Sequence, residues 1–194
     1  MKRKQLKTLV SVGLAVPGAF MLYDFAAGTT LAMDLLEPTG VLSVRLMILA
    51  MLAGPLVEAF GTNRFFAAWL MLRRNLGVAA FGYALLHLLL YTVDMTPPGM
   101  LDEMGLPGIW TGWLALALLI PPAAISFDSA VRALGRRWKT VQRLVYLALA
   151  VAFTHWLLLA WDWLPAALHI APLAIAWLLR FRQRQAIVRH RSLS

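Results

Sequence analysis

Long apolar stretches alternate with short polar gaps along the whole chain. Six of these stretches are close to the roughly 20 residues that an α-helix needs to cross a bilayer. They cover roughly residues 8–27, 41–60, 76–92, 109–127, 141–160 and 165–180. The pattern therefore predicts an all-α fold, namely a polytopic membrane protein whose six transmembrane helices form one domain over residues 1–194.

Charged side chains in the gaps predict the orientation of the six segments. Acidic residues follow the first, third and fifth segments, as Asp34 and Glu37, then Asp94, Asp102 and Glu103, then Asp162. Basic residues occupy the chain ends and the other gaps, as Lys2, Arg3, Lys4, Lys7, Arg64, Arg73, Arg74, Arg132, Arg136, Arg137, Lys139, Arg143, Arg180, Arg182, Arg184, Arg189 and Arg191. Because lysine and arginine collect on the cytoplasmic side, both termini are predicted to be cytoplasmic. Arg45, near the outer start of the second segment, is the exception.

The first segment follows a short basic run, as a signal peptide does. We expect it to be retained as the first helix. Its removal would leave five segments and would move the basic loops to the outside, against the charge pattern.

Composition narrows the possible chemistry. Hydrophobic residues make up 61% of the chain and charged residues 14%, against about 45–50% and about 25% in soluble domains. The sequence has no cysteine, which excludes thiol catalysis, disulfides, iron–sulfur clusters and thiolate metal sites. The net charge of +9 is explained by orientation and by contact with anionic lipid. We therefore expect membrane lipid, and no nucleic acid, among the partners.

Three histidines lie at one predicted depth in the outer half of the membrane. His87 and His155 are near the outer ends of the third and fifth segments, which run in the same direction. His169 is near the outer start of the sixth segment. At a rise of about 1.5 Å per residue, the three positions fall within about one helical turn of each other.

An imidazole among lipid-spanning helices requires a hydrogen-bond partner or a metal. Two imidazoles at one depth on parallel helices, such as His87 and His155, can bind one haem iron from both faces. That ligation leaves no open iron position and suits electron transfer. Gly77 and Gly82 are predicted to let a flat macrocycle approach the third helix.

Simpler interpretations of the histidines stay open at this point. A histidine in a membrane helix often makes one interhelical hydrogen bond and nothing more. For His169 we expect a supporting or interface role, with haem ligation as the alternative.

Two long motifs carry a family resemblance. The stretch LRRNLGVAAFGYALLHLLLYTVD covers residues 72–94, and LGRRWKTVQRLVYLALAVAFTHW covers residues 134–156. Together with EPTG at 37–40 and AGPL at 53–56, they resemble the MsrQ (YedZ) family. That family contains the haem-binding membrane subunits of a periplasmic methionine sulfoxide reductase system, within the wider ferric reductase-like transmembrane group.

The resemblance implies a six-helix bundle of the ferric reductase-like type in the bacterial inner membrane. It implies b-type haem, with His87 and His155 matching the ligands on the third and fifth helices. It also implies electron transfer to a soluble molybdopterin reductase in the periplasm, so the chain alone would not reduce the final substrate.

One departure from the family pattern concerns the inner half of the membrane. Gln142 stands where the family usually has a histidine, thirteen residues before His155, and Arg74 lies thirteen residues before His87. Thirteen helical residues span about 20 Å, so the two positions form an inner layer. Glutamine is a poor haem ligand and arginine is none, which argues against a second haem. Gln142 and Arg74 can instead contact a quinone, the phosphate of FMN or haem propionates, or serve as interfacial residues without a ligand.

Three functions are consistent with these features. The first is an electron-transfer subunit with one haem b, supplied by quinol or a cytoplasmic flavin reductase. The second is a redox-silent structural or assembly subunit of a larger membrane complex. The third is a transporter, although no segment pairs a buried acid with a buried base near the midplane.

Overall fold

The computed structural model describes residues 3–193, with side chains described for residues 3–185. The predicted basic residues Lys2, Arg189 and Arg191 therefore lie outside the described side chains. The described part contains these helices: α1 Arg3–Ala26, α2 Ala32–Phe60, α3 Arg64–Asp94, α4 Pro97–Glu103, α5 Pro107–Ala124, α6 Asp128–Leu134, α7 Arg136–Gln142, α8 Leu144–Leu159 and α9 Leu164–Leu193.

Six helices are long and apolar enough to cross a membrane, within the described part of the chain. They are α1, α2, α3, α5, the pair formed by α7 and α8 (Arg136–Leu159), and α9 as far as Gln185. This confirms the predicted all-α fold with six membrane-spanning helices. A turn at Arg143 separates α7 from α8, whereas the sequence pattern predicts one uninterrupted segment there.

Two helices begin earlier than the apolar pattern predicts. Helix α2 begins at Ala32 and α3 begins at Arg64, in each case about two to three turns before the predicted segment. Asn63 caps α3, because its side chain accepts a hydrogen bond from the backbone N–H of Phe66 at 2.9 Å. Polar residues beyond the apolar stretch can thus continue a helix, which places Thr39 and Gly40 inside α2.

Helix α2 lies at the centre of the bundle. It packs along α3 and against α9, while α5 packs along α8. The hydrophobic core joins α2 to side chains from α3, α5, α8 and α9, and its buried members are Val44, Leu46, Met47, Ile48, Leu52, Ala80, Tyr83, Leu119, Ala148, Leu149, Leu173 and Ala176. Many outward-facing residues are large and apolar, as contact with lipid requires.

The two ends of the bundle differ in character. We call the end with the connections 27–31, 95–106 and 160–163 the histidine end, because His87 and His155 lie near it. The opposite end, with the connections 61–63 and 125–127, is called the basic end, after the exposed arginine and lysine residues nearby.

A tyrosine hydroxyl connects α1 to α3. The Tyr83 hydroxyl donates to the Leu14 carbonyl at 2.8 Å and accepts from the Gly18 amide at 2.9 Å. In a regular helix this carbonyl and this amide would pair with each other. A Cβ at Gly18 would lie 3.2 Å from the Tyr83 ring, so glycine permits the close approach.

We predict that Tyr83→Phe destabilises the protein, because it removes the hydrogen bonds of the tyrosine hydroxyl to the Leu14 carbonyl and the Gly18 amide. The expected loss is about 1 kcal/mol of unfolding free energy, the usual net contribution of a hydrogen bond, since the carbonyl and the amide can pair with each other within α1. Thermal unfolding in detergent measures it. Tyr23→Phe is the matched control, since Tyr23 is on α1 with its side chain exposed. Equal midpoints for the two variants would contradict the prediction.

Candidate functional site

Two imidazole rings, one from α3 and one from α8, lie close to each other. The ring centroids of His87 and His155 are 6.2 Å apart, and the ring planes are nearly perpendicular at 86°. This confirms the sequence-based prediction that the two histidines lie together at one depth. Both side chains are partly buried.

His87 is held from behind by α2. Its Nδ1 atom lies 2.9 Å from the Leu36 carbonyl oxygen and 3.4 Å from the Thr39 hydroxyl. A carbonyl oxygen only accepts hydrogen bonds, so Nδ1 carries the proton and donates it. The other ring nitrogen, Nε2, then keeps its lone pair for a metal ion.

His155 is held in the same way by α5. Its Nδ1 atom lies 2.5 Å from the Gly108 carbonyl oxygen and donates to it. Neither His155 nor His87 makes a hydrogen bond through Nε2 within the part of the chain that the structure describes. In the described residues, every fully buried side-chain nitrogen or oxygen has a hydrogen-bond partner. Because the two Nε2 atoms have none, they are not fully buried, and each borders open space.

Two glycines make room for the rings. A Cβ at Gly40 would lie 3.3 Å from His87 Nδ1, and a Cβ at Gly112 would lie 2.7 Å from His155 Cε1. Sequence reasoning missed both of these glycines. Gly77 and Gly82, which it selected for the approach of a macrocycle to the third helix, have open space around an added Cβ, and their role stays a prediction. The sequence does contain a signal for Gly40 and Gly112, because each follows a threonine in a Thr-Gly pair, at 39–40 and at 111–112.

The spacing of the rings fits two ligands of one metal ion. A metal–imidazole bond is about 2.0 Å long, so rings on opposite sides of one ion have centroids about 6 Å apart. Among the described residues, no cluster of three or more histidine, aspartate or glutamate side chains suits a metal. A bare ion would have two protein ligands here, whereas a porphyrin brings four nitrogens of its own. The pair therefore suits haem better than a bare ion.

His169 lies next to this pair but is bonded differently. Its Nδ1 atom lies 2.6 Å from the Pro165 carbonyl, and its Nε2 atom accepts from Arg45 Nε at 2.7 Å. The ring also contacts Trp156, with centroids 5.1 Å apart. Both nitrogens are thus engaged, and His169 supports the α2–α9 contact in this arrangement.

Gln142 and Arg74, the candidates for an inner layer, lie at the basic end and contact protein groups. The Gln142 amide donates to the Pro122 carbonyl at 2.9 Å and to the Ser126 hydroxyl at 3.3 Å. Trp138 donates to the nearby Ile125 carbonyl at 3.1 Å. These side chains satisfy carbonyls at the end of α5 that have no partner within the helix.

Arg74 forms an ion pair with Asp128 at 2.6 Å. Its guanidinium holds the pKa of the Asp128 carboxyl below the usual range, first by hydrogen bonding and then by charge. The pair contributes to stability above the ordinary aspartate pKa, and that contribution is lost as the pH falls through the lowered value. Asp128 is exposed, so solvent screens the contact and its effect is small.

Comparisons with known proteins cover most of these elements. The family described as "Ferric reductase like transmembrane component" matches residues 39–154. Proteins from Brucella ovis, Brucella canis and Brucella suis are each 35% identical to this chain over 156 residues. The alignment covers 78% of this chain and 68% of each relative. Each of the three is named "Protein-methionine-sulfoxide reductase heme-binding subunit MsrQ".

We predict that Gln142→Leu lowers the unfolding free energy by about 1 kcal/mol, because it removes a hydrogen-bond donor from the Pro122 carbonyl. Thermal unfolding of the protein in detergent measures the change. Thr140→Val is the control, because Thr140 is exposed and lies on the same helix, α7. An unchanged midpoint for Gln142→Leu would show that the amide does not stabilise the end of α5.

Proposed function

The chain belongs to the MsrQ family of ferric reductase-like transmembrane proteins, and we propose that it passes electrons through one b-type haem to a periplasmic acceptor. Family membership and the six apolar helices make it a multi-pass, haem-binding redox subunit. The finer proposal concerns the ligands, the number of haems, the donor and the acceptor.

The arrangement of His87 and His155 carries the proposal. Each ring donates from Nδ1 to a backbone carbonyl and keeps Nε2 free, and the ring centroids are 6.2 Å apart. We therefore assign His87 and His155 as the residues that would hold the haem iron. When bound, the haem would supply a one-electron redox centre.

The protein groups around the ligands have two tasks. The carbonyls of Leu36 and Gly108 fix the tautomer of each ring and raise its basicity, which favours the ferric state. The surrounding apolar helices limit the access of water. The chain thereby sets the orientation and the potential of the redox centre without acting on the final substrate.

One haem is proposed because the inner layer offers no ligand pair. Gln142 contacts the end of α5, and Arg74 pairs with Asp128. The residues present do not fit a second haem there.

The proposed donor is quinol or a cytoplasmic flavin reductase. Positive charge at the basic end supports placing that end in the cytoplasm of a bacterium, with the protein in the inner membrane. Several basic side chains there are exposed and offer a complementary surface to an anionic FMN or an acidic reductase, namely Arg73, Arg132, Arg136, Arg137 and Lys139.

The proposed acceptor is the catalytic subunit of a methionine sulfoxide reductase, a soluble molybdopterin protein of the periplasm. The names of the Brucella relatives support the sulfoxide reductase system. Large apolar side chains are exposed at the histidine end, including Leu101, Leu106, Trp161 and Trp163. Such residues suit contact with lipid headgroups and with a docking partner.

We predict about one haem b per chain in the purified protein, measured as the pyridine haemochrome. His87→Ala and His155→Ala should lose it, because each removes a side chain that would hold the haem iron. His169→Ala is the matched control and should keep it, since both His169 nitrogens are already bonded. Two haems would contradict the single-site proposal. No haem after expression with ample haem would favour the structural or assembly subunit instead.

We also predict electron transfer to the acceptor. The reduced protein, in vesicles, should be reoxidised when a periplasmic methionine sulfoxide reductase and methionine sulfoxide are added together. Stopped-flow spectra follow the change, and omission of the sulfoxide is the control, because only catalytic turnover accepts electrons repeatedly. Haem that stays reduced with the complete mixture would contradict this choice of acceptor.

A further inference from the structure

The same small structure supports each of the two central histidines. In α2 it consists of the Leu36 carbonyl, Thr39 and Gly40, and in α5 of the Gly108 carbonyl, Thr111 and Gly112. The spacing is identical, because the threonine follows the carbonyl residue by three positions and the glycine by four. We call each set a histidine cradle.

The threonines of both cradles are buried and contact the corresponding two carbonyls of their own helices, and the Thr39 hydroxyl in addition lies 3.4 Å from His87 Nδ1. The Thr39 hydroxyl lies 2.7 Å from the Leu35 carbonyl and 2.9 Å from the Leu36 carbonyl. The Thr111 hydroxyl lies 2.7 Å from the Pro107 carbonyl and 2.8 Å from the Gly108 carbonyl. Each hydroxyl therefore reaches the oxygen that also accepts the Nδ1 proton of the histidine.

We propose that the two cradles are corresponding positioning devices, in which the glycine leaves the space that the ring occupies and the threonine adjusts the hydrogen bond to Nδ1. The proposal rests on the proposed function, because the quantity being adjusted is the electronic state of a haem ligand. Thr39, Gly40, Thr111 and Gly112 are positioning residues, since they act through His87 and His155.

The threonine effect has a definite sign. A carbonyl oxygen that receives a hydroxyl proton is a weaker acceptor for the imidazole N–H, because the two donors compete for its lone pairs. Removing the hydroxyl strengthens the N–H···O bond and makes the imidazole more basic. A more basic ligand stabilises the ferric state, so the midpoint potential falls.

An alanine in place of the glycine should disturb the two cradles to different degrees. An added Cβ would be 2.7 Å from the His155 ring at position 112 and 3.3 Å from the His87 ring at position 40. A Cβ at position 112 would be so close that the ring or a helix has to move. A Cβ at position 40 requires the His87 ring to shift by only a few tenths of an ångström. Alanine at position 112 should therefore have the larger effect.

The first experiment compares alanine variants by haem affinity and by the EPR spectrum of the ferric protein, which reports ligand orientation. We expect Gly112→Ala to weaken haem binding about tenfold or more, as disturbed supporting contacts of metal ligands do. Gly40→Ala should shift the EPR signals with less than about threefold loss of affinity. Gly54→Ala is the control, because Gly54 lies on the same helix as Gly40 and an added Cβ there meets nothing within 4 Å. Spectra and affinities identical to wild type for Gly112→Ala would overturn the proposal.

The second experiment addresses the threonines by redox titration. Thr39→Val and Thr111→Val should each favour the ferric state about threefold, which equals about 28 mV at 59 mV per tenfold for one electron. Thr39→Ser and Thr111→Ser should keep the wild-type potential, because they keep the hydroxyl. A potential that is unchanged in both valine variants would contradict the tuning role.

A third measurement does not depend on haem. Nitrogen-15 NMR of the histidines in the haem-free protein reports which ring nitrogen carries the proton. Gly112→Ala should change the His155 signals and leave those of His87, and Gly40→Ala should do the reverse. Absence of haem from the wild type would refute the proposed function alone, whereas unchanged histidine signals in both variants would refute the cradles.

Discussion

The hydrogen bond from each central imidazole to a backbone carbonyl of a neighbouring helix is the interaction on which the site depends. Within a membrane, a polar side chain has few partners other than protein groups, so each histidine takes a carbonyl from the helix that packs behind it. That bond fixes the tautomer and frees the opposite nitrogen. It also explains why α2 must lie along α3 and α5 along α8, because a ring can reach a helix carbonyl only when the two backbones approach closely.

Close approach in turn requires small residues at particular places. Gly40 and Gly112 leave the space that the His87 and His155 rings occupy, and Gly18 does the same for Tyr83. In each case an aromatic or imidazole ring lies against a glycine and bonds to backbone groups of the same helix. The same arrangement therefore occurs three times in the bundle. A ring occupies the space beside a glycine that has no Cβ, and a polar atom of the ring makes a hydrogen bond to a backbone group of the glycine's helix.

The same constraint gives the polar residues of the basic end a different role. Gln142 and Trp138 donate to carbonyls at the end of α5, and Arg74 pairs with Asp128. Glu58 likewise pairs with Arg180 at 2.6 Å, joining α2 to α9. These side chains close helix ends and connect helices. The two central imidazoles each keep one ring nitrogen unbonded, whereas these side chains of the basic end bond to protein groups.

The sequence by itself determined the all-α fold, the six membrane-spanning helices and the shared depth of His87 and His155, because apolar length and helical rise are local properties of the chain. It also indicated the family, through motifs that cover much of the chain. Only the tertiary structure decided which helix supports each histidine, that Gly40 and Gly112 adjoin the rings, and that His169 is engaged by Arg45. These features depend on the rotation of each helix about its axis, which is set by packing between segments distant in sequence and leaves little trace in a hydropathy pattern.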